Sequence, residues 1–328
     1  MAEKVWHGGD LGAARALFPH APEPWIDLST GINPCPYPLP ELPLSLWQVL
    51  PSAREEEGLL AAARTAYRVP PGASIVAAPG TQILIELLPR LIPSGQVAVL
   101  GPTYAEHALA WGKAGHPVGQ IEDPAADIGA ASLVLVNPNN PDGRIVAKAD
   151  LERLAARCRD RGGVLVVDEA FADFTPEISI VPQLPPATIV LRSFGKTYGL
   201  AGLRVGFAIG EPEPIEALRD AMGPWAVAGP ALRVAATALS DAGWLEQAAT
   251  ARRADAARLD ELLSQRGRIV GGIDLFRLLE TDDAAALFHR LGSAGIYVRR
   301  FQHDPSRLRF GLPADESAWT RLETALKA

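Results

Sequence analysis

The chain has 328 residues but only two cysteines, Cys35 and Cys158, and two methionines. Two cysteines so far apart make neither a metal-ligand spacing nor a disulfide framework, and their scarcity fits a reducing compartment. The six histidines are scattered and form no zinc-site spacing. Basic charge is not in excess. Thirty-one Lys and Arg against 38 Asp and Glu give a net charge of −7, which leaves no electrostatic footprint for nucleic acid. No apolar run approaches the ~18 residues of a membrane span, and the opening MAEKVWHGGD lacks the apolar core of a secretory signal. These absences point to a cytoplasmic protein that binds neither nucleic acid nor membrane.

What is present is a folded chain. Apolar residues make up 48%, ordinary for a soluble domain, and the length suits a large domain with a smaller companion. The first ~50 residues are rich in Pro, Gly and Trp and irregular. Residues 52–67 read as a helix, SIVAAPG (74–80) as a strand, and TQILIELLPRLI as a helix that Pro89 should kink or shorten. The strand-like runs QVAVL, SLVLVN, VLVVDE, TIVLRS and RVGFAIG follow. Continuous Val/Ile/Leu runs alternating with helices predict an α/β fold with a mostly parallel sheet flanked by helices. TIVLRS and RVGFAIG are too close for a crossover helix, so they should pair differently. After GPWAVAGP (223–230) the pattern changes to a helical region at about 231–265, three further strand-like runs, a helix near 282–293 and a closing helix, a smaller α+β domain. The expected division is a large domain over 26–229, with 1–25 and 230–328 forming the N-terminal segment and the small domain.

The fragment GKT within SFGKTYGLAGLRVGF (193–207) suggests a phosphate-binding P-loop, G-x-x-x-x-G-K-[ST]. The first glycine of that pattern falls on Val190, so the reading fails and Lys196 needs another explanation. In open α/β sheets ligands bind beyond the carboxyl ends of the strands, and polar residues gather there. Gly80, Thr81 and Gln82 open a helix whose N-terminus can hold an anion, although on this triplet alone a plain N-cap by Thr81 is the better account. NPNNPDG (137–143) is a turn by composition and brings Asn140. Asp168 ends VLVV, Ser193 ends TIVLR, and Lys196 and Arg204 follow among glycines. An amine for a Schiff base, a carboxylate for a pyridinium nitrogen, and amide, hydroxyl and guanidinium donors for a phosphate are together what pyridoxal phosphate requires.

On SFGKTYGLAGLRVG, NPNNPDG and VVDEAF, in that family's order and spacing, the chain resembles the fold-type I pyridoxal-phosphate enzymes of the class I/II aminotransferase superfamily along nearly its whole length. The resemblance implies roles. Lys196 is the Schiff-base lysine, Asp168 the ring-nitrogen partner, and Asn140 the partner of the ring hydroxyl. Ser193, Arg204 and Gly80–Gln82 are the phosphate cup, and Tyr104, in GPTYAEH, is the stacking aromatic. Arg309, in LRFGLP, grips the substrate carboxylate, and Asn33, in GINP, lies at the substrate end. It also implies a homodimer. One departure is Phe171, where many relatives carry a tyrosine that donates to the ring hydroxyl. HGGDL, WIDLSTGINP and GPWAVAGPAL further resemble the threonine-phosphate decarboxylases of cobalamin biosynthesis. That subgroup implies decarboxylation of L-threonine O-3-phosphate, a phosphorylated amino acid, with His7, Gly8 and Gly9 at the substrate phosphate. An aminotransferase on histidinol phosphate or a similar amine remains an alternative, as does a non-catalytic module of the same fold, which the presence of Lys196 disfavours.

Overall fold

The computed structural model describes residues 6–327. Its strands, in chain order, are β1 (Ile26–Leu28), β2 (Ser74–Ala78), β3 (Val97–Leu100), β4 (Val118–Ile121), β5 (Ser132–Val136), β6 (Leu165–Asp168), β7 (Thr188–Ser193), β8 (Gly206–Gly210), β9 (Arg268–Ile273), β10 (Phe276–Glu280), β11 (Ile296–Arg300) and β12 (Arg307–Gly311). The chain divides into two compact units, one of residues 37–140 and 144–245, the other of the chain through Pro36, residues 141–143 and residues from 246 on.

The larger unit is built on a seven-stranded sheet in the order β2-β8-β7-β6-β5-β3-β4. β4, β3, β5, β6 and β7 run parallel, while β8 is antiparallel to both neighbours. β5, β6 and β7 are buried at every residue, as strands covered on both faces must be. Alternate residues of β7 enter different apolar clusters, Val190 one and Ile189 and Leu191 the other, so each face has its own core. The antiparallel turn back from β7 to β8 is the expected consequence of a short connection. Residues 194–205 hold only a four-residue helix, Phe194–Thr197, and a 3-10 turn, Ala201–Leu203.

Some boundaries differ from the sequence reading. The helix Thr81–Leu91 carries Pro89 inside its last turn and ends two residues later. β4 was not anticipated, because it is a half-exposed edge strand containing Gly119 and Gln120. The expected helix over 231–265 is two helices, Gly229–Leu239 and Ala242–Leu263. They part at Asp241, whose carboxylate accepts from the Trp244 N–H at 2.9 Å. The first buries Ala231, Leu232, Ala235 and Leu239 in the core of the larger unit, so that unit extends to Leu245, past the 229/230 boundary read from the sequence. At the other end the units divide after Pro36, not at residue 26, since β1 is paired within the smaller unit.

The smaller unit holds a five-stranded sheet, β1-β11-β12-β10-β9, antiparallel except for β1 beside β11. Phe288, Leu291, Phe310 and Trp319 contribute to its core.

Beneath the carboxyl ends of β6 and β7 lies a buried charge cluster. Arg192 donates to Glu169 at 2.7 Å and to Asp173, and its guanidinium lies 4.4 Å from the centre of the Tyr67 ring. Glu169 also accepts from the Ser179 hydroxyl at 2.6 Å and the Ile180 N–H at 2.8 Å. Burial alone pushes the Arg192 pKa down; Asp173 and Glu169 push it up and prevail. Removing one partner of such a group strands the opposite charges in a dry interior. Arg192→Met is therefore expected to lower unfolding stability by about 3–5 kcal/mol, measured by chemical denaturation of the cofactor-free protein. A loss under 1 kcal/mol would show that the cluster is not structural.

Candidate active site

A cavity of about 240 Å³ opens beyond the carboxyl ends of the parallel strands of the larger unit. Gly80, Thr81, Gln82, Tyr104, Asn140, Asp168, Ser193, Lys196 and Arg204 all line it, so nine sequence-derived candidates share one space.

Each is placed by a strand end. Gly80 follows β2 and begins the helix Thr81–Leu91 with no side-chain cap. Thr81 is thus not a simple N-cap, and the first-turn N–H groups receive no side-chain cap, the condition under which a helix start can take an anion. Gly80 has φ +87°, and a Cβ there would stand 2.4 Å from Arg204 Nη2. Only glycine lets the guanidinium come so close. Arg204 itself has φ +53°, a conformation that costs a non-glycine residue about 1–2 kcal/mol and that the surrounding structure imposes. Gly195 allows a second close approach, since a Cβ on it would meet Ala201 Cα at 2.6 Å. That contact folds residues 194–205 tightly enough to bring Lys196 and Arg204 to the same cavity.

The Gln82 side chain has a role besides the phosphate-cup backbone position expected for the turn. Its side-chain amide accepts from the Tyr104 hydroxyl at 3.1 Å and donates to Glu106 at 3.3 Å, so it fixes the Tyr104 ring. The Thr103 hydroxyl donates to Asn139 at 2.6 Å, and the Asn139 amide donates to the Pro102 carbonyl at 2.9 Å, which ties the Tyr104 turn to the loop bearing Asn140.

Asp168, buried at the end of β6, accepts from His107 Nε2 at 2.9 Å and from the Ala170 N–H at 3.0 Å. Sequence reasoning missed His107. Its signal was the spacing from Tyr104: three residues on at a helix start share a face, and the helix Glu106–Lys113 begins there. With an anionic acceptor on Nε2, the imidazole orients the carboxylate as carboxylate–histidine pairs do elsewhere.

The remaining candidates belong to the smaller unit. Arg309 is buried, donates to the Ser29 carbonyl at 2.8 Å and stacks on Phe276, 4.9 Å from its ring centre. Its register partner across the ladder is Arg299, also missed from the sequence because strand pairing is non-local. Burial and Arg299 together push the Arg309 pKa down to about 9, against the pull of Asp27. Two guanidinium groups directly opposite repel. His7 borders a separate cavity of about 270 Å³ with Trp6, Asp10, Ser29, Arg299 and Arg300. The Gly9 N–H donates to the Ser29 hydroxyl at 2.7 Å, and a Cβ on Gly8 would lie 2.3 Å from the Ser29 carbonyl oxygen. The segment is thus docked on the end of β1. Asn33 is buried and accepts from the Cys35 N–H and Arg252, both at 3.0 Å.

The family "Aminotransferase class I and II" matches residues 47–322. A threonine-phosphate decarboxylase of Pseudomonas aeruginosa is 45% identical over 98% of this chain and 96% of its own. One of Sinorhizobium sp. is 42% identical over 99% and 98%. Among solved structures, a histidinol-phosphate aminotransferase of Sinorhizobium meliloti in complex with pyridoxal-5'-phosphate superposes with a TM-score of 0.81 at 20% identity, over 99% of this chain and 94% of that one, a likeness of fold.

The Gly80–Arg204 contact yields a test. Gly80→Ala forces a methyl group into the guanidinium and a left-handed backbone on alanine. Affinity for a phosphate-bearing cofactor is expected to fall about tenfold, measured by equilibrium dialysis with the fold checked by circular dichroism. Unchanged affinity would remove this turn from the anion site.

Proposed function

The chain belongs to the aminotransferase class I and II family, and on that premise we propose that it is a pyridoxal-phosphate-dependent decarboxylase. It converts L-threonine O-3-phosphate into CO2 and (R)-1-amino-2-propanol O-2-phosphate, a step of cobalamin biosynthesis in the cytoplasm. What carries the choice of reaction is the match to two threonine-phosphate decarboxylases along nearly the full chain.

The donor set around the larger unit's cavity suits the cofactor. The uncapped N–H groups after Gly80, the Ser193 hydroxyl and the Arg204 guanidinium meet a phosphate. Asp168, oriented by His107, meets a protonated ring nitrogen. Tyr104 offers a flat face, Asn140 a side-chain amide and Lys196 the amine. When bound, pyridoxal phosphate supplies an electron sink for the pair left when a bond to the substrate α-carbon breaks. Asp168 then holds the proton at the ring nitrogen. Lys196 moves protons at the α-carbon. In the smaller unit, Arg309 offers a planar guanidinium to the substrate carboxylate, and His7, with the Gly8 amide, offers donors to the substrate phosphate, the Gly9 N–H being engaged by the Ser29 hydroxyl. Asn33 is assigned to the substrate end of the site.

Given L-threonine O-3-phosphate, the holoprotein is expected to release CO2 and aminopropanol phosphate in equal amounts. It should form no glutamate from histidinol phosphate and 2-oxoglutarate. The reverse result makes it an aminotransferase. Lys196→Ala should abolish the visible band of the bound cofactor and cut CO2 release on the order of a thousandfold or more. Arg309→Ala should raise KM about 10- to 100-fold while cofactor affinity stays within about twofold.

The protein is also proposed to be a homodimer that pairs through the larger unit. Of eleven exposed large apolar side chains among the described residues, six are Leu39, Leu44, Trp47, Val49, Leu50 and Trp225. Pro51 and Ser52 line one groove with Trp225, which puts the two segments side by side. Trp225 holds φ +59°, a strained backbone that presents an indole to solvent. Six such side chains, two of them tryptophans, expose several hundred Å², the upper end of what a monomer shows. A two-fold axis through the patch lets it cover itself. Light scattering should give the mass of two chains, and Trp47→Glu with Trp225→Glu the mass of one. A wild-type monomer would refute the dimer.

A further inference from the structure

We propose that Phe171 is a specificity-determining residue: its ring face biases the Lys196 amine toward the ammonium form, so that the site gives a proton to the substrate carbon instead of taking one. The proposal rests on the decarboxylase reading above.

Lys196 Nζ lies 5.6 Å from the centre of the Phe171 ring, within the ~6 Å at which a ring quadrupole attracts a cation. The ring is buried and lines the same cavity as the amine. It is also held firmly. Phe171 sits between Glu169, anchored by the Ser179 hydroxyl and the Ile180 N–H, and Asp173, anchored by Arg192. A side chain flanked by two buried anchors keeps its aim. Phenylalanine carries no hydrogen-bonding atom, so the face and edge of the ring are all that it offers.

The two reactions open to this site leave the same electron pair and differ at one proton. In decarboxylation the bond from the α-carbon to the carboxylate breaks and CO2 departs, and bound cofactor would supply the sink for the pair left behind. A proton must then be added to that carbon. The Lys196 ammonium can give it, becoming the neutral amine. In amino-group transfer the α-carbon must first lose its proton, which only the neutral amine can accept. One nitrogen thus serves either reaction, in opposite states, and a ring face stabilises the ammonium alone. The other charged and titratable groups lining the cavity are Asp168, which favours the ammonium, Arg204, which opposes it, and Tyr104, with His107 engaged on Asp168. Those groups also serve the cofactor's ring and phosphate, whereas the Phe171 ring face bears on the amine.

The test begins on cofactor-free protein. The rate at which an amine-directed acylating reagent labels Lys196 is followed against pH, peptide by peptide, with exposed Lys113 of the same unit as the internal reference. Phe171→Leu removes the ring; Phe171→Tyr keeps it and adds a hydroxyl. The Lys196 midpoint is expected to fall by about 0.5–1 pH unit in Phe171→Leu and to stay near wild type in Phe171→Tyr, with Lys113 unmoved in both. In the holoproteins given L-threonine O-3-phosphate, pyridoxamine phosphate formed per CO2 released should rise severalfold in Phe171→Leu, read by chromatography of the extracted cofactor. An unmoved Lys196 midpoint, a fall in Phe171→Tyr equal to that in Phe171→Leu, or a moved midpoint with an unchanged product ratio overturns the proposal. Wild-type protein that releases no CO2 overturns the decarboxylase reading instead, and the labelling result stands apart from it.

Discussion

Arg192 is buried between Glu169 and Asp173 and lies over the ring of Tyr67. It stands immediately before Ser193 on β7, and Glu169 stands immediately after Asp168 on β6. One ion pair therefore fixes the relative height of two strand ends whose next residues face the cavity. Desolvating three charges is costly, and an apolar cluster of equal volume would often be as stable or more so. What an apolar cluster lacks is direction. The bidentate geometry of a guanidinium sets two carboxylates at defined positions, and through them the loop that carries Phe171. The site inherits its precision from this layer below it.

The same logic governs the loop between β7 and β8. A parallel crossover would need a helix and a dozen or more residues. The chain instead turns back through residues 194–205, packed so closely that Gly195 leaves no room for a side chain against Ala201. That compression has a local cost, visible at Arg204, whose backbone is left-handed. It also does what a longer connection could not, since it brings an amine and a guanidinium from one short segment to a single 240 Å³ cavity.

Much of this was legible in the sequence, for identifiable reasons. Strand-end residues such as Asp168 and Ser193 could be found because buried parallel strands read as unbroken apolar runs, and ligands bind where those runs stop. The antiparallel β8 followed from connection length alone. His107 and Arg299 were not found, because each derives its meaning from a partner distant in sequence, Asp168 in one case and Arg309 across a strand ladder in the other. Gln82 was placed with the right neighbours, but its side chain engages Tyr104 and Glu106, a contact no local pattern encodes. The break at Asp241 was hidden by strong helical periodicity on both sides. β4 was hidden by its polar, edge-strand composition.

Charge shows why bulk composition says so little about a site. The chain carries a net −7, yet within the smaller unit Arg299 and Arg309 face each other across two strands, and burial with mutual repulsion depresses the Arg309 pKa to about 9. A protein that only needed stability would not keep two guanidinium groups in register. Asp27 offsets part of that repulsion, and under the proposed function a bound substrate carboxylate would offset more of it. For the proposed cofactor phosphate the larger unit offers a different arrangement, backbone N–H groups at a helix start and one guanidinium, with no second cation opposite it. The first device suits a substrate that must come and go, since its cost returns at each release. The second suits a cofactor that stays.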